Sequence, residues 1–480
     1  MRQFLRSLLA FILVAGAAAP GRGQVPLDSA LFLTDSATVV HLDRIFIIGN
    51  RRTKERIIRR EMSAQPQNQY AWGDLQTILE GDKKRIINTR LFLRVDVRPV
   101  FVNERTLDLI VSVDERWYTI PAPYVKFADR NINDWLTNFG LDLRRLEYGL
   151  KVTKLNFRGL NERLQLDAQF GFTRRLSINY YRPYLDRAQK NGLALNFAFS
   201  ETNNIIYQTE GHRPLTTDSL RRSLETLTAG VGWRHRGSYY STHAVDIDYF
   251  HNYIKDTITE INPLYFLDGR QQQRYLQLSY RFFHDKRDFV AYPQRGYVVD
   301  VRAQKLGLGV FDDINLGRLT VLFKRYAPLS TRWSVANTLH SYTSAPRRQP
   351  YANFLGLGFQ SLWLRGYETY TIQGQHLALQ QNDLRYQAFN TVFNLDRIIP
   401  FDQFNKIPMA LYVKAFYDHG GVSNSVAYPL EQRLNNRYLY SAGVGLDVVS
   451  FYDFVFRIGY PLLVSSGAER QYFLNFRASF

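Results

Sequence analysis

Residues 471–480 read QYFLNFRASF, and this stretch has the two-residue repeat of a β-strand. Tyr472, Leu474, Phe476 and Phe480 fall on one face of an extended chain, and the residues between them fall on the other. Chain termini usually fray in solvent, whereas this one alternates up to a final aromatic residue. The stretch therefore predicts a strand, and its meaning depends on whether the preceding segments are of the same kind.

The same alternation runs through most of the chain. It is clear in RLQLDAQFGF (163–172), LALNFAF (193–199) and YLQLSYRFF (275–283). These segments have about 10 residues or more, whereas strands of soluble proteins have about 5–6. Charged side chains share the inward register, which a water-filled lumen tolerates and a packed sandwich core does not. Aromatic residues crowd the segment ends, as in SINYYRPYL (177–185), where membrane barrels carry their aromatic girdles.

These features favour a transmembrane β-barrel over a soluble β-domain. Fifteen or sixteen segments alternate, and because bacterial barrels have even strand numbers we expect about 16 antiparallel strands. The predicted barrel covers residues 141–480. Its seam is predicted between a first strand near 148–157 and a last strand at 471–480.

Composition narrows the possible partners. The chain has 480 residues, is 15% aromatic and contains no cysteine, which excludes disulfides and thiolate metal sites. Its net charge of +18 indicates an anionic partner, such as the lipids and lipopolysaccharide of an outer membrane. Nucleic acid is not expected, because the N-terminal segment directs export.

That N-terminal segment is MRQFLRSLLAFILVAGAAAPGRGQ (1–24). It has a basic start at Arg2 and Arg6, an apolar run, and small residues that suit cleavage either at Ala17–Ala19 or near Gly21–Gly23. We predict a signal peptide over 1–24 and a linker over 25–40. No later run of about 18 apolar residues occurs, so a membrane-embedded form would have to cross with a closed barrel.

Residues 41–117 show helical as well as strand periodicity and predict a small α+β domain. A strand at 42–48 is followed by a turn, a short helical stretch, and a second helix over 73–90 with a possible break at Gly81. Thr53 is predicted as the N-cap of the first helix. Two alternating strands follow at 91–101 and 106–114, which gives the order β-α-α-β-β, and a linker is expected over 118–140.

Signatures of catalysis are missing from the sequence. It contains no G-x-S-x-G elbow, no Walker A loop and no H-E-x-x-H motif. His419 adjoins Asp418 without an identifiable nucleophile. We therefore expect no enzymatic activity, no cofactor and no metal.

One loop motif points to a family. Within SLWLRGYETY (361–370), Arg365, Gly366 and Tyr367 resemble the loop motif of the BamA/TamA superfamily of outer-membrane insertases and two-partner secretion transporters. In that superfamily the loop folds back into the barrel and its arginine meets an acidic residue on the wall. FYDHG (416–420) resembles the family's F-x-D-x-G strand motif, which implies Asp418 as that partner.

Further residues match motifs of the same superfamily, and the match follows the order of the whole barrel. The N-terminal order is that of a POTRA domain, although the family's insertases usually carry several. The acidic-x-arginine motif that follows the loop, at 383–385, has aspartate where glutamate is usual. The matching residues are Asp285, Arg287, Asp288, Pro293 and Gly296 in the mid-barrel motif; Asp383 and Arg385 after the loop; Phe416 and Gly420 beside Asp418; Tyr472, Phe476 and Phe480 in the C-terminal targeting signature; and Gly49, Asn50, Thr53, Leu91 and Phe92 in the POTRA domain.

The resemblance implies insertion of proteins into the bacterial outer membrane. Unfolded outer-membrane clients would dock in the periplasm by adding a strand to an exposed POTRA edge, within 91–101 or 106–114. They would then be templated at the barrel seam, with membrane lipids and accessory assembly subunits as further partners. A two-partner secretion pore and a passive porin or structural barrel are the alternatives, and a single POTRA domain favours a specialised or accessory role.

Overall fold

The computed structural model describes residues 36–128, 135, 142–186, 188, 190–217, 222–358, 362–394, 406–424, 433–450, 455–465 and 473–477. The predicted signal peptide lies outside these residues, as does most of the predicted linker 25–40. The chain divides into two compact units. The first contains the residues up to Arg51 and Ile58–Glu115, and the second contains Arg52–Ile57 and the residues from Arg116 onward.

The N-terminal region is an α+β fold of the POTRA type, as predicted. Its sheet has the order β2-β1-β4-β3, with β1 parallel to β4 and β3 antiparallel to β4. The short strand β2 was not predicted, and α2 continues through Gly81 without a break. The elements are β1 Val39–Ile48, α1 Glu55–Arg59, β2 Asn68–Ala71, α2 Trp72–Asn88, β3 Phe92–Phe101 and β4 Thr106–Glu115.

The predicted POTRA residues occupy the ends of these elements. Gly49 follows β1 with φ +89°, and a Cβ there would lie 2.0 Å from the Val113 carbonyl oxygen, so the turn requires glycine. Its neighbour Asn50 precedes the segment assigned to the second unit. Leu91 and Phe92 are buried where the chain leaves α2 and enters β3.

Thr53 does not occupy the predicted N-cap position. Helix α1 begins at Glu55, so Lys54 is the residue before it. The Thr53 hydroxyl instead lies 2.9 Å from the Tyr118 hydroxyl and accepts a hydrogen bond from Asn156 Nδ2 at 2.8 Å. Thr53 is buried in the second unit, where it joins the residue before the first barrel strand to the end of the second strand.

The second unit is a 16-stranded antiparallel sheet, which confirms the predicted barrel class and strand number. Each wall strand pairs with its sequence neighbour in the wall. Two small ribbons belong to loops: β10 Ile206–Glu210 with β11 Arg213–Thr216, and β18 Leu355–Leu357 with β19 Ile372–Gly374. The wall strands are β5 Thr119–Phe127, β6 Leu146–Phe157, β7 Glu162–Gly171, β8 Thr173–Arg182, β9 Asn191–Thr202, β12 Leu224–Arg236, β13 Ser241–Ile254, β14 Gln272–Asp285, β15 Gly296–Leu306, β16 Leu316–Pro328, β17 Trp333–Ala345, β20 His376–Asn394, β21 Lys406–Ser423, β22 Leu439–Val449, β23 Val455–Val464 and β24 Phe473–Arg477.

The two faces of the wall follow the alternation of the sequence. Leu195, Val231, Ile247 and Leu278 stand opposite one another on four consecutive strands, and all four are exposed on the outer surface. Such a row of exposed apolar residues suits a lipid-facing band. The inner face is polar, as shown by Asn196 Nδ2, which donates to Asp248 at 2.9 Å.

The barrel has two different ends. One end carries short connections, at 158–161, 237–240, 286–295 and 329–332, and we call it the turn rim. The other end carries long connections, including 203–223, 255–271 and 346–375, and we call it the loop rim. Among the described residues, no helix is long and apolar enough to span a membrane.

The first wall strand corrects the predicted start of the barrel. Residues 119–127 form β5, which pairs along its whole length with β6, so they are not part of a linker. The seam is therefore bounded by β5 and β24 rather than by the strand near 148–157. The described residues contain no pairing between β5 and β24. Pro121 and Pro123 are compatible with this strand because β5 is at the edge of the sheet, where proline is tolerated.

Candidate functional site

The long connection between β17 and β20 folds into the barrel. Strands β18 Leu355–Leu357 and β19 Ile372–Gly374 pair as a ribbon at its base. Beyond the ribbon, Leu364 and Tyr367 are buried in an apolar cluster with residues of β20, β21 and β22. Burial of these two side chains orders the loop tip against the wall, and residues 359–361 lie outside the described chain.

The structure places Arg365 against Asp418. The guanidinium donates to both carboxylate oxygens, with Nε at 2.6 Å from Oδ2 and Nη2 in contact with Oδ1. Asp418 is fully buried on β21, and Arg365 is 9% exposed. A bidentate pair of this kind fixes both the position and the orientation of the loop tip.

Arg365 has two further partners that sequence reasoning did not assign to it. Its Nη1 donates to Asp383 Oδ1 of β20 at 2.6 Å. Its guanidinium also lies over the Phe416 ring, 4.1 Å from the centroid. Asp383 stands on the strand next to Asp418, two residues from its opposite position. The motif D-x-R at 383–385 marked Asp383 in the sequence. Only the strand register shows that Asp383 and Asp418 both contact one arginine.

Gly366 and Tyr367 complete the contact. Gly366 has φ +89°, and a Cβ there would lie 3.2 Å from Pro461, so glycine suits this left-handed turn. The Gly366 N–H donates to both carboxylate oxygens of Glu368, at 3.0 and 2.9 Å. The Tyr367 hydroxyl contacts Ser465 Oγ at the end of β23. The loop tip is thus held by β20 and β21 on one side and by β23 on the other.

The mid-barrel motif forms the 286–295 turn. Asp285 accepts two hydrogen bonds from Arg287, at 2.8 and 2.5 Å, and Asp288 accepts the N–H of Gln294 at 3.1 Å. Gly296 has φ +103°, with the Lys286 carbonyl oxygen 2.0 Å from the position of a Cβ. These residues shape the turn and do not contact the loop tip.

The same turn sends one side chain into the lumen. Tyr292 is buried, and its hydroxyl donates to Asp447 of β22 at 2.9 Å. Arg385 lies over the Tyr292 ring at 4.7 Å and donates to Asp383 at 3.3 Å and to the Pro293 carbonyl at 3.3 Å. The residues Asp418, Arg365, Asp383, Arg385, Tyr292 and Asp447 therefore form a continuous chain of polar contacts from the loop tip to the turn rim.

Lys414 joins the far end of this chain. Its Nζ lies 2.6 Å from Asp447 Oδ1, and both side chains are buried on adjacent strands. Neither residue was predicted from the sequence, because each occupies an ordinary inward position.

Gly420 was predicted from the sequence as part of the motif around Asp418. It allows close strand pairing, since a Cβ there would lie 2.1 Å from the Ala378 carbonyl oxygen.

A second loop contacts the loop that carries Arg365, at the loop rim. The ribbon of β10 Ile206–Glu210 and β11 Arg213–Thr216 ends in a turn at His212. His212 Nε2 accepts the N–H of Leu434 at 2.8 Å, and its carbonyl accepts the N–H of Thr371 at 2.8 Å. Burial lowers the pKa of His212 below 6.5, and the charge of Arg433 lowers it further. The neutral ring and the backbone carbonyl of His212 together join three loops.

The predicted C-terminal signature is described only in part. Tyr472 and Phe480 lie outside the described residues. The backbone of Phe476 pairs with Phe456 within the five residue pairs that join β24 to β23. Its targeting role remains a prediction.

The edge of β5 that faces the seam has an unusual composition. Leu155 N–H donates to the Tyr118 carbonyl at 2.7 Å, and Ala128 N–H donates to the Arg145 carbonyl at 2.8 Å. Because backbone groups of alternate residues point to opposite neighbours in an antiparallel sheet, the even-numbered residues of β5 bond to β6. The odd-numbered residues, including Pro121 and Pro123, face the seam. Two of the five seam-facing positions therefore have no N–H donor.

Comparisons with known proteins agree with this architecture. A protein-family model described as "Omp85 superfamily domain" matches residues 156–480. The fold is similar to that of BamA from Haemophilus ducreyi lacking POTRA domains 1-3, with a TM-score of 0.58 and 16% identity over 91% of this chain and 83% of that one. No curated protein sequence matches significantly.

Two further solved structures share the fold. CdiB from Escherichia coli has a TM-score of 0.55 and 13% identity, over 91% of this chain and 75% of that one. CdiB from Acinetobacter baumannii has a TM-score of 0.51 and 12% identity, over 91% of this chain and 73% of that one. At these identities the likeness concerns the fold alone.

Proposed function

Because this chain belongs to the Omp85 superfamily, we propose that it inserts barrel proteins into the bacterial outer membrane. Its POTRA-like domain lies in the periplasm and receives unfolded clients. Its barrel presents them with a seam at which a client strand pairs before it enters lipid. The chain is not an enzyme, and the free energy comes from the client's own folding into the bilayer.

The composition of the β5 edge is the observation that carries this proposal. With two donors missing, a ladder between β24 and β5 lacks two hydrogen bonds, each worth about 0.5–1.5 kcal/mol. The seam would be weaker by about 1–3 kcal/mol than a complete ladder. The carbonyl groups of β5 remain available as acceptors, so an incoming strand can pair there in place of β24.

Docking uses the exposed edge of the POTRA-like sheet. Strand β3 is at the edge, whereas β4 lies between β1 and β3 and has no free side. This removes 106–114 from the two predicted edges and leaves β3. An extended client segment would add to β3 through main-chain hydrogen bonds, which are indifferent to client sequence.

A protein-secretion pore is the second candidate. The fold is similar both to two CdiB structures and to BamA, so fold similarity does not choose between the two functions. Transport through the lumen would require the loop to leave, and Arg365 would then have to give up contacts with Asp418 and Asp383. The insertion proposal needs no such step, since the client passes at the seam.

The test is reconstitution of the full chain in vesicles of outer-membrane lipid. A chaperone-held barrel client is added, and its folding is followed by protease protection. Pro121→Val with Pro123→Val restores both seam donors, and we expect it to slow client folding severalfold. Pro408→Val on β21 is the control, because Pro408 is exposed within a paired strand away from the seam.

Two results would contradict the insertion proposal. One is client folding that is no faster than in empty vesicles, across several clients. The other is protection of a soluble secreted partner that enters the vesicle lumen, which would support the secretion pore. If the seam variant and the wild type accelerate client folding equally, the missing donors of β5 are not the basis of insertion.

A further inference from the structure

The outer wall of the barrel carries a groove of about 500 Å³ at the turn rim. It lies between β15 and β16 and is lined by Arg295, Tyr297, Phe323, Arg325 and Pro328. Tyr297 stands opposite Arg325 in the ladder, and Phe323 lies two residues further along the same face. Tyr297, Phe323 and Arg325 are exposed, so the groove opens to the barrel's surroundings and not to its lumen.

Two guanidinium groups, those of Arg295 and Arg325, face this groove. Among the described residues, neither Arg295 nor Arg325 takes part in an ion pair or a side-chain hydrogen bond. On the same hairpin, by contrast, Arg281 is paired with Asp300 at 2.7 Å. Asp288, which lies in the same turn as Arg295, accepts backbone N–H groups.

The groove continues an aromatic band on the outer surface. Tyr297 stacks on His284 with ring centroids 5.3 Å apart, and Phe282 lies 5.1 Å from His243. Outward-facing rings of this kind lie at the headgroup level of a bilayer, with hydrocarbon on one side and water on the other. A ligand of the groove would therefore meet positive charge at the rim and apolar side chains, such as Phe323, toward the membrane centre.

We propose that the groove binds the phosphate headgroup of an anionic diacyl phospholipid from the leaflet at the turn rim. Guanidinium groups bind phosphate oxygens in a bidentate manner, and two of them complement a headgroup that carries net negative charge. Tyr297 and Phe323 contact the glycerol and the first carbons of an acyl chain. None of the described residues that line the groove is acidic, so these side chains do not repel an anion.

The test is native mass spectrometry of the full chain in a neutral detergent. The protein is titrated with phosphatidylglycerol and, separately, with zwitterionic phosphatidylcholine of the same acyl chains. We expect preferential retention of phosphatidylglycerol. Arg295→Gln with Arg325→Gln should weaken it about 30-fold, since each basic residue near a membrane surface contributes about fivefold.

A charge-matched control separates the groove from net charge. Arg174→Gln with Arg222→Gln removes two exposed arginines that lie near Glu201 toward the loop rim. We expect this variant to retain phosphatidylglycerol like the wild type. Tyr297→Ala should weaken both lipids alike, because it removes an apolar contact and no charge. Each variant is checked for folding by gel electrophoresis, because a folded barrel migrates differently in unheated and heated samples.

Several outcomes would overturn the proposal. Equal retention of the two lipids would do so, as would an affinity that the groove variant leaves unchanged. Displacement of phosphatidylglycerol by millimolar inorganic phosphate would show a site for the free anion instead. Stronger retention of a lipid A phosphate than of phosphatidylglycerol would assign the groove to a different lipid class.

Discussion

Removal of Arg365 should release the loop more than removal of its partner Asp418. When Arg365 is replaced by Met, the fully buried carboxylate of Asp418 keeps only distant described donors, such as Gln381 Nε2 at 3.4 Å. When Asp418 is replaced by Asn, Arg365 keeps Asp383 at 2.6 Å and an amide oxygen at position 418. The two sides of the pair are therefore unequal, because the arginine is shared and Asp418 is not.

The expected difference follows from the cost of stranding a charge. Removal of one partner of a buried pair costs about 3–5 kcal/mol, which we expect for Arg365→Met. Asp418→Asn exchanges charged for neutral hydrogen bonds and should cost about 1.5–3 kcal/mol. The gap is about 2 kcal/mol, or about 30-fold in the equilibrium between held and released loop.

Hydrogen exchange in lipid nanodiscs measures this equilibrium. The Tyr367 N–H, which donates to the Leu364 carbonyl at 3.0 Å, reports release of the loop. The control is Arg281→Met, which breaks the Arg281–Asp300 wall pair and should leave this amide unchanged. Exchange in Asp418→Asn that equals or exceeds that in Arg365→Met would refute the idea that Asp383 shares the arginine.

Three further predictions concern other positions. Gly366→Ala places a Cβ in a left-handed turn at a cost of about 1–2 kcal/mol, so exchange at Tyr367 should rise about tenfold, and an unchanged rate would contradict the strain. Because burial lowers the pKa of His212 below 6.5, its contribution to stability is full above that pH and is lost as pH falls through the lowered pKa. Protease cleavage of the loop-rim segments should accordingly increase in acid for the wild type and for a His376→Gln control, and increase less for His212→Gln. Equal acid sensitivity of all three proteins would exclude His212 as the cause. Asp82→Ala leaves the N–H groups of Ser63 and Ala64 without their carboxylate acceptor, so the POTRA-like domain should lose about 2–4 kcal/mol, whereas a urea midpoint like that of the wild type would show that water replaces the carboxylate.

Local patterns were sufficient for the barrel and for one half of the site. Alternation depends only on neighbouring residues in an extended chain, so the strand class and the approximate strand number could be predicted from it. Arg365, Gly366 and Asp418 stood out because they lie in short motifs. The same reasoning missed β5, whose two prolines are tolerated in a strand only because β5 is at the edge of the sheet.

Register and closure decided the rest. Asp383 shares Arg365 and Tyr292 reaches Asp447 because a loop and a turn fold into the barrel. Arg295 and Arg325 line one groove because of the register between β15 and β16. Each of these residues has an ordinary local pattern, so its sequence neighbours carry no sign of its partner. The sequence by itself determined which side chains face lipid and which face the lumen. Only the tertiary structure decided which inward charges pair, which outward arginines have no ion-pair partner among the described residues, and which strand edge lacks donors, since all three depend on strand register and on how the loops and turns fold.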